Sequence, residues 1–415
     1  MRTPWREESL LDAFAEDFEA LVGFASASRC PGGFGTLDAE GAIEAGAPIE
    51  LWITCRMTYV FTLASMRGIE GAAELARHGL DALAGPFHDD EHGGWYSALV
   101  PAGDAPVEGA RKEAYAHAFV ILAAAAASCA GFEGARALLD EALKDQDRHW
   151  WEPSFGRVRN SWNPDFSECE AYRGLNANMH TVEAYLAAWD ATGERIWLDR
   201  AREMCRFVAD LGARFGWRLP EHFGPGWVVE PEMFADNPAD PFRPYGATPG
   251  HGFEWARLIL HTRAALVAVG DAPGAWMIDV ARELVNRADS DGWTDEGVGG
   301  IVYTTDFDGR PVVKTRMHWV VCEAVNAAYA LGVVDEERGD EEQTGIQSER
   351  FARFAAWADQ YLHEAPGRWI HELGGDGAPS TTVWAGKADA YHLAQMLLLP
   401  RIPLAPGFAV ALASA

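Results

Sequence analysis

What most constrains this chain is a recurrence. Helical patterning comes in pairs, and one member of each pair returns roughly every 60–80 residues with polar groups set into apolar sequence. Helices are expected near 7–27, 51–67, 70–84, 111–130, 132–145, 173–191, 194–211, 251–269, 273–288, 315–331, 347–363 and 383–398. Those starting near 51, 111, 173, 251, 315 and 383 carry the unusual polar side chains. Their partners near 70, 132, 194, 273 and 347 read as amphipathic outer helices, GERIWLDRAREMCRFVADLG being the clearest. One pair cannot bury its apolar face alone, so the pairs must stack into a solenoid or close on themselves. Six inner helices with polar residues at matching depth favour closure around one pocket. The expected fold is all-α, an (α/α)6 barrel of about twelve helices. Short β-hairpins are expected in the connecting loops at 88–100, 155–162 and 291–311.

No linker interrupts the pattern. The charge-rich stretch from Asp335 to Glu349 is short enough for a loop and a helix start, so residues 1–415 are expected to form a single barrel domain. With 62 acidic residues against 34 Lys and Arg, the formal charge is -28, which repels phosphate backbones and anionic lipid. Nucleic-acid and membrane-surface roles are therefore not expected. The longest apolar run, near Phe119 to Phe132, is too short to span a bilayer, and the start MRTPWREESLLDAF is too charged for a signal peptide. Six cysteines lie far apart without a CxxC, reading as reduced thiols rather than a disulfide framework or a zinc site. A cytoplasmic location is expected, and self-association as a homo-oligomer stays open.

The inner helices hold the chemistry. Trp52 and Arg56 stand i, i+4 in ELWITCRMTYVF, and Tyr115 is placed similarly in RKEAYAHAFV. Asn176, His180 and Glu183 form a polar stripe in YRGLNANMHTVEAYL. His251 and Glu254 are i, i+3; Arg316, Trp319 and Glu323 are expected on one face; Trp384 and His392 are expected two turns apart on the last inner helix, with Lys387 and Asp389 between them. Taken singly, each has a plainer explanation. A lone helical histidine is usually a packed or surface residue, which suits His78, His149, His261 and His363. Arg56 resists that explanation, because a guanidinium among Trp52, Ile53, Met57, Tyr59, Val60 and Phe61 must be paired if it is buried.

Indole faces suit the C–H faces of sugar rings, and polar groups at fixed depth suit hydroxyls. Histidine moves protons near neutrality. Arg56 with neutral donors would stabilise the oxyanion that grows when a carbon beside a carbonyl loses its proton. The set therefore suits an aldose–ketose isomerase or a 2-epimerase acting on a monosaccharide. No P-loop and no HExxH is present, so neither a cofactor nor a metal is called for. Two rivals stay open: a carbohydrate hydrolase or lyase using Glu183, Glu254, Glu323 or Asp89–Asp90, and a non-catalytic sugar-binding protein.

The segments IELWITCRMTYVF, DDEHGGWYSAL, RKEAYAHAF, LNANMHTVEAYLAA, DPFRPYGATPGHGFEWARLIL, RMHWVVCEA and TVWAGKADAYH together resemble the N-acylglucosamine 2-epimerase superfamily along nearly the whole chain. GATPGHGFEWARL and WAGKADAYH are most similar to its isomerase branch, whose members act on D-mannose or sulfoquinovose; cellobiose and N-acylglucosamine 2-epimerases are the alternatives. The resemblance implies an (α/α)6 barrel and metal-independent proton transfer through a cis-enediolate. It implies His251 and His392 as the acid/base pair, with substrate contacts from Arg56, Tyr115, Asn176, His180 and Glu254 and a wall of Trp52, Trp319 and Trp384. Glu254, one turn after His251, is expected to set that imidazole's tautomer. The far wall is expected from loops 222–245 and 371–382 and from the region of Ala388. A small apolar residue there favours an unmodified hexose, D-mannose with D-fructose, although Lys387, Arg243 and Arg316 each offer a positive charge.

Overall fold

A computed structural model describes residues 3–414; Met1, Arg2 and Ala415, and with them the first two residues of the charged N-terminal stretch, lie outside the described residues. The described helices are α1 (Glu8–Ala25), α2 (Leu51–Met66), α3 (Ala72–Ala84), α4 (Ala114–Cys129), α5 (Ala135–Asp145), α6 (Leu175–Thr192), α7 (Arg195–Arg214), α8 (Pro249–Ala268), α9 (Trp276–Gly292), α10 (His318–Arg338), α11 (Glu341–Tyr361), α12 (Tyr391–Leu398) and α13 (Phe408–Ala413). The even-numbered helices α2 to α12 touch in succession, and α12 returns to α2, closing an inner ring. Odd-numbered helices pack outside it, α3 on α2, α5 on α4, α7 on α6, α9 on α8 and α11 on α10, while α1 lies against α12 and α2. This is an (α/α)6 barrel.

Burial follows from that arrangement. In α2 every residue from Leu51 to Ala64 is buried, and α4 is buried from Ala116 to Ala127, because neighbours surround inner helices on all sides. The outer α7 instead buries one stripe, Trp197, Leu198, Ala201, Met204, Cys205 and Val208, and leaves its charged face in water. Among the described residues no helix is long and apolar enough to cross a membrane, and the six cysteines are free.

Two-residue strands stitch one rim of the barrel. Ile49–Glu50 pairs with Ala98–Leu99, Lys112–Glu113 with Ser161–Trp162, Arg173–Gly174 with His222–Phe223, and Arg316–Met317 with Glu372–Leu373. Single bridges Ala247–Thr305 and Leu37–Lys387 serve the entries to α8 and α12. Each inner helix therefore starts from this rim, and the N-terminal turns of all six converge there.

Several boundaries differ from the sequence expectation. Residues 111–113, 173–174 and 315–317 precede their helices, most of them as strand, since pairing across the rim satisfies their backbone. Arg316 consequently leaves the Trp319–Glu323 face; its guanidinium turns to the carbonyls of Gly299, Glu296 and Lys314. The last inner helix begins at Tyr391 rather than near 383, so Trp384, Lys387 and Asp389 lie in the loop before it. There Gly386 takes φ +68° with its Cα so close to Leu37 that an added Cβ would sit 2.3 Å from the Leu37 carbonyl oxygen, and Lys387 N–H donates to that oxygen. The acidic stretch after Asp335 is mostly helical: α10 runs to Arg338 and α11 starts at Glu341, with Asp340 capping through Gln343 N–H. The short α13, not foreseen, packs against α2 and α4.

Candidate active site

Inner helices entering from one rim present the same positions to the axis. Trp52, Tyr115, Asn176, Trp319 and His392 are each the second residue of their helix, and Arg56, His180, Glu254 and Glu323 the sixth. Second and sixth positions share a face one turn apart, so the regular entry builds a two-tiered polar ring from six separate segments. All six positive helix ends point toward it.

The cavity they enclose has a volume of about 740 Å³ and is lined by the ten residues that the resemblance implies, Trp52, Arg56, Tyr115, Asn176, His180, His251, Glu254, Trp319, Trp384 and His392, and not by Glu183, Arg316, Glu323 or Lys387. Phe242 and the flanking prolines 241 and 244 complete the mouth, as do Ala385, Gly386 and Ala388; from 371–382 only His371 reaches it. Trp52, Trp384 and the half-exposed Phe242 form an aromatic triangle with ring centroids 5.1–6.0 Å apart.

His251 and His392 both lie against Trp319, with centroids 5.3 and 5.7 Å from it. That approach needs Gly250: a Cβ there would sit 2.5 Å from the Trp319 ring. Each imidazole has its own carboxylate. His392 Nδ1 is 2.9 Å from Glu323 Oε1, and His251 Nδ1 is 2.7 Å from Glu221 Oε1. Glu221 replaces Glu254 as the partner of His251. It lies on the rim just before the strand His222–Phe223, where no helical period could flag it. Burial holds His392 below its ordinary pKa even though Glu323 pulls it upward, so its base form dominates at neutral pH.

Glu254 has a different neighbourhood. Neither carboxyl oxygen has a hydrogen-bond partner; His180 Nδ1 and the Arg257 guanidinium both stop 3.6 Å away. Burial, reinforced by Glu323 and Glu183 and opposed by Arg257, pushes its carboxyl well above the usual range and favours the protonated acid. His180 is held well below its ordinary value by burial and by nearby Arg56, favouring the neutral ring. Arg56 donates to Asp389 at 3.0 Å and lies over the rings of Phe119, Tyr391, Trp52 and Tyr115 at 4.4–5.7 Å, which supplies the pairing its burial demands. Beneath the cavity Arg257 clasps Glu323 through two bonds, 2.7 and 3.2 Å, and approaches Glu183 at 3.6 Å; Glu183 in turn accepts from Tyr391 and Gln395.

Two groups of potential metal ligands occur among the described residues, His180–Glu183–Glu254 and Glu254–Glu323–His392. The Arg257 guanidinium sits among these carboxylates, within 3.6 Å of Glu183 and Glu254 and bonded to Glu323. His318, Tyr303 and Met317 also line the cavity and were not anticipated, and His371 was covered only by the loop range 371–382. His318 adjoins Trp319 in the sequence, and that adjacency was the available signal.

The chain belongs to the N-acylglucosamine 2-epimerase (GlcNAc 2-epimerase) family, which it matches over residues 32–396. It is 47% identical over 401 residues to a D-mannose isomerase of Thermobifida fusca, spanning 95% of each chain. A D-mannose isomerase of Pseudomonas cannabina pv. alisalensis is 43% identical over 395 residues, covering 95% of this chain and 93% of its own. A crystal structure of a D-mannose isomerase superposes with a TM-score of 0.84 at 24% identity, covering 97% of this chain and 99% of that one, a likeness of fold.

Proposed function

We propose that this protein is an aldose–ketose isomerase interconverting D-mannose and D-fructose without a metal. The observation that carries this reading is the pair of carboxylate-backed imidazoles, His251 and His392, on one tryptophan-walled cavity. The high identity to D-mannose isomerases over nearly the full chain supports it.

The sugar enters as a ring, with Trp52, Trp319 and Trp384 against its C–H faces. One imidazole assists opening by moving a proton between O1 and O5. The other removes the C2 proton; the C2 electron pair forms the C1–C2 double bond and the carbonyl oxygen becomes the enediolate oxygen. The same imidazolium then returns its proton to C1 while the C2 hydroxyl proton passes to O1, so that C2 becomes the carbonyl and C1 carries a hydroxyl, giving the ketose. Glu221 and Glu323 stabilise the imidazolium forms and hold the rings in place. Arg56 and the converging helix ends favour the enediolate, and the protonated Glu254 is a proton donor within the same cavity.

An unmodified hexose is favoured over an anionic one because the cations near the mouth are committed elsewhere. Lys387 Nζ donates to Glu364 and to the Trp369 carbonyl, both at 2.6 Å; Arg243 is paired with Glu170 at 2.8 and 3.0 Å. Arg316 is occupied by the backbone carbonyls described above. A sulfonate or phosphate would meet none of them free.

The test is incubation with D-mannose in heavy water followed by NMR. D-fructose carrying solvent deuterium is expected. Glucose without a ketose indicates a 2-epimerase, turnover of sulfoquinovose alone indicates the sulfonated substrate, and no reaction with any of these sugars overturns the reading.

A further inference from the structure

Two histidines that play no part in the proposed proton transfer line the same cavity. His318 opens α10, directly before Trp319, and His371 ends the loop that enters the strand Glu372–Leu373. The antiparallel pairing of Met317 with Glu372 makes them the next facing residues of that ladder, and His318 N–H donates to the His371 carbonyl at 2.9 Å. Their rings stack, with centroids 3.8 Å apart and an interplanar angle of 23°.

The stack is buried, His318 being 7% exposed and His371 8%, and both rings are cavity lining. His318 Nδ1 lies 3.2 Å from the His371 carbonyl oxygen. A carbonyl only accepts, so Nδ1 carries the hydrogen and Nε2 is left as a bare lone pair. That Nε2 is buried and has no partner. Burial pushes the imidazole down to about 3, with nearby His392 acting in the same direction, so the ring stays neutral near pH 7. A buried acceptor without a donor costs free energy that a ligand hydroxyl would recover.

We propose that the His318–His371 stack is a hydroxyl-recognising subsite for the sugar, in which His318 Nε2 accepts a hydrogen bond from one hydroxyl outside the C1–C2 pair. The inference rests on the aldose reading and deepens it. The bare His318 Nε2 rewards an O–H donor and repels phosphate, sulfonate or carboxylate oxygens, which bring lone pairs and no proton. His371 holds the ring from below through its stacked face and its carbonyl, which fixes the tautomer; it is a positioning residue.

The experiment compares kcat/KM of the wild type, His318→Asn and His318→Gln on D-mannose and on its 3-, 4- and 6-deoxy and deoxyfluoro analogues. Asn reproduces the Nδ1 position and its bond to the His371 carbonyl but has nothing at Nε2; Gln places an amide oxygen near Nε2. In the wild type one deoxy sugar should fall about tenfold or more below D-mannose, and its fluoro counterpart should fare no better, because fluorine cannot donate. In His318→Asn, D-mannose should drop to the level of that deoxy sugar, which itself should not drop further. His318→Gln should recover part of the difference. Melting temperatures measured alongside separate folding from recognition.

Equal losses on every sugar, or an unchanged preference for D-mannose in His318→Asn, overturn the subsite while leaving the isomerase reading in place. A wild type that turns over no neutral aldose overturns both. If the Asn variant does not fold, absence of the deoxy and fluoro discrimination in the wild type alone still overturns the proposal.

Discussion

His251 is oriented by Glu221, thirty residues before it in the chain, and not by Glu254 one turn after it: Nδ1 to Glu221 Oε1 is 2.7 Å. The pair resembles the base–carboxylate half of a catalytic triad, in which the acid fixes the tautomer and stabilises the imidazolium. Glu221→Gln should keep the fold and lower kcat on D-mannose by about 10²-fold or more. His251→Ala should lower it by at least as much. Near-normal kcat in Glu221→Gln would show that the contact is structural only.

The second imidazole rests on a longer chain of charge. Arg257 clasps Glu323, and Glu323 meets His392 Nδ1. Burial alone would raise Glu323, but Arg257 and His392 outweigh it and hold the carboxyl below the usual range. Replacing Arg257 by Met leaves buried carboxylates uncompensated and should cost about 3–5 kcal/mol in stability. Denaturant unfolding measures this; a loss below about 1 kcal/mol would contradict the pairing. His392→Ala, by contrast, should preserve stability far better and abolish measurable turnover.

Arg56 is held both by Asp389 and by four aromatic faces. Arg56→Lys keeps the charge but not the planar group that stacks on those rings, so kcat/KM should fall about tenfold or more. Full activity in the lysine variant would reduce Arg56 to a point charge.

Buried neutral histidines link stability to pH. Burial drives His261 and His318 down to about 3, and His180 and His371 well below their ordinary value. The unfolded chain takes up protons near pH 6.5 while these folded rings do not, so acid favours unfolding. Stability is full above about pH 6.5 and should fall as pH drops below it, lowering Tm by on the order of 5 °C or more between pH 7 and pH 5. A flat Tm over that interval would contradict the assignment. Activity should fall on the acid side with a midpoint below about 6.5, the ordinary imidazole value, because His392 is depressed.

Arg257 stands among Glu183, Glu254 and Glu323 and supplies a positive charge to that carboxylate set, which supports the metal-free reading. Prolonged dialysis against a strong chelator should leave the isomerisation rate unchanged. A loss restored only by an added divalent ion would overturn the metal-free reading.

Much of this protein was legible in its sequence, for a physical reason. Inner helices are surrounded on all sides, so a polar residue such as Arg56, His180 or Glu254 stands out against an apolar background. Their spacing along the chain exposed the pairwise repeat and hence the closed ring. The ten residues that the resemblance implies line one cavity, nine of them from helices that enter from the same rim and Trp384 from the loop before α12.

The tertiary structure decided the partnerships. Glu221 is an ordinary rim residue until the strand Arg173–Gly174 pairs with His222–Phe223 and brings it under His251. The expected helix through 383–390 is a loop because Gly386 and Lys387 engage the backbone of Leu37, almost the full length of the chain away. Lys387, Arg243 and Arg316 looked equally available as cations, and only their long-range partners show that each is spent outside the cavity. Periodicity along a helix is a local property and is written in the sequence. Which carboxylate meets which imidazole, and which charge is left over, depends on contacts between distant segments, and those exist only once the ring has closed.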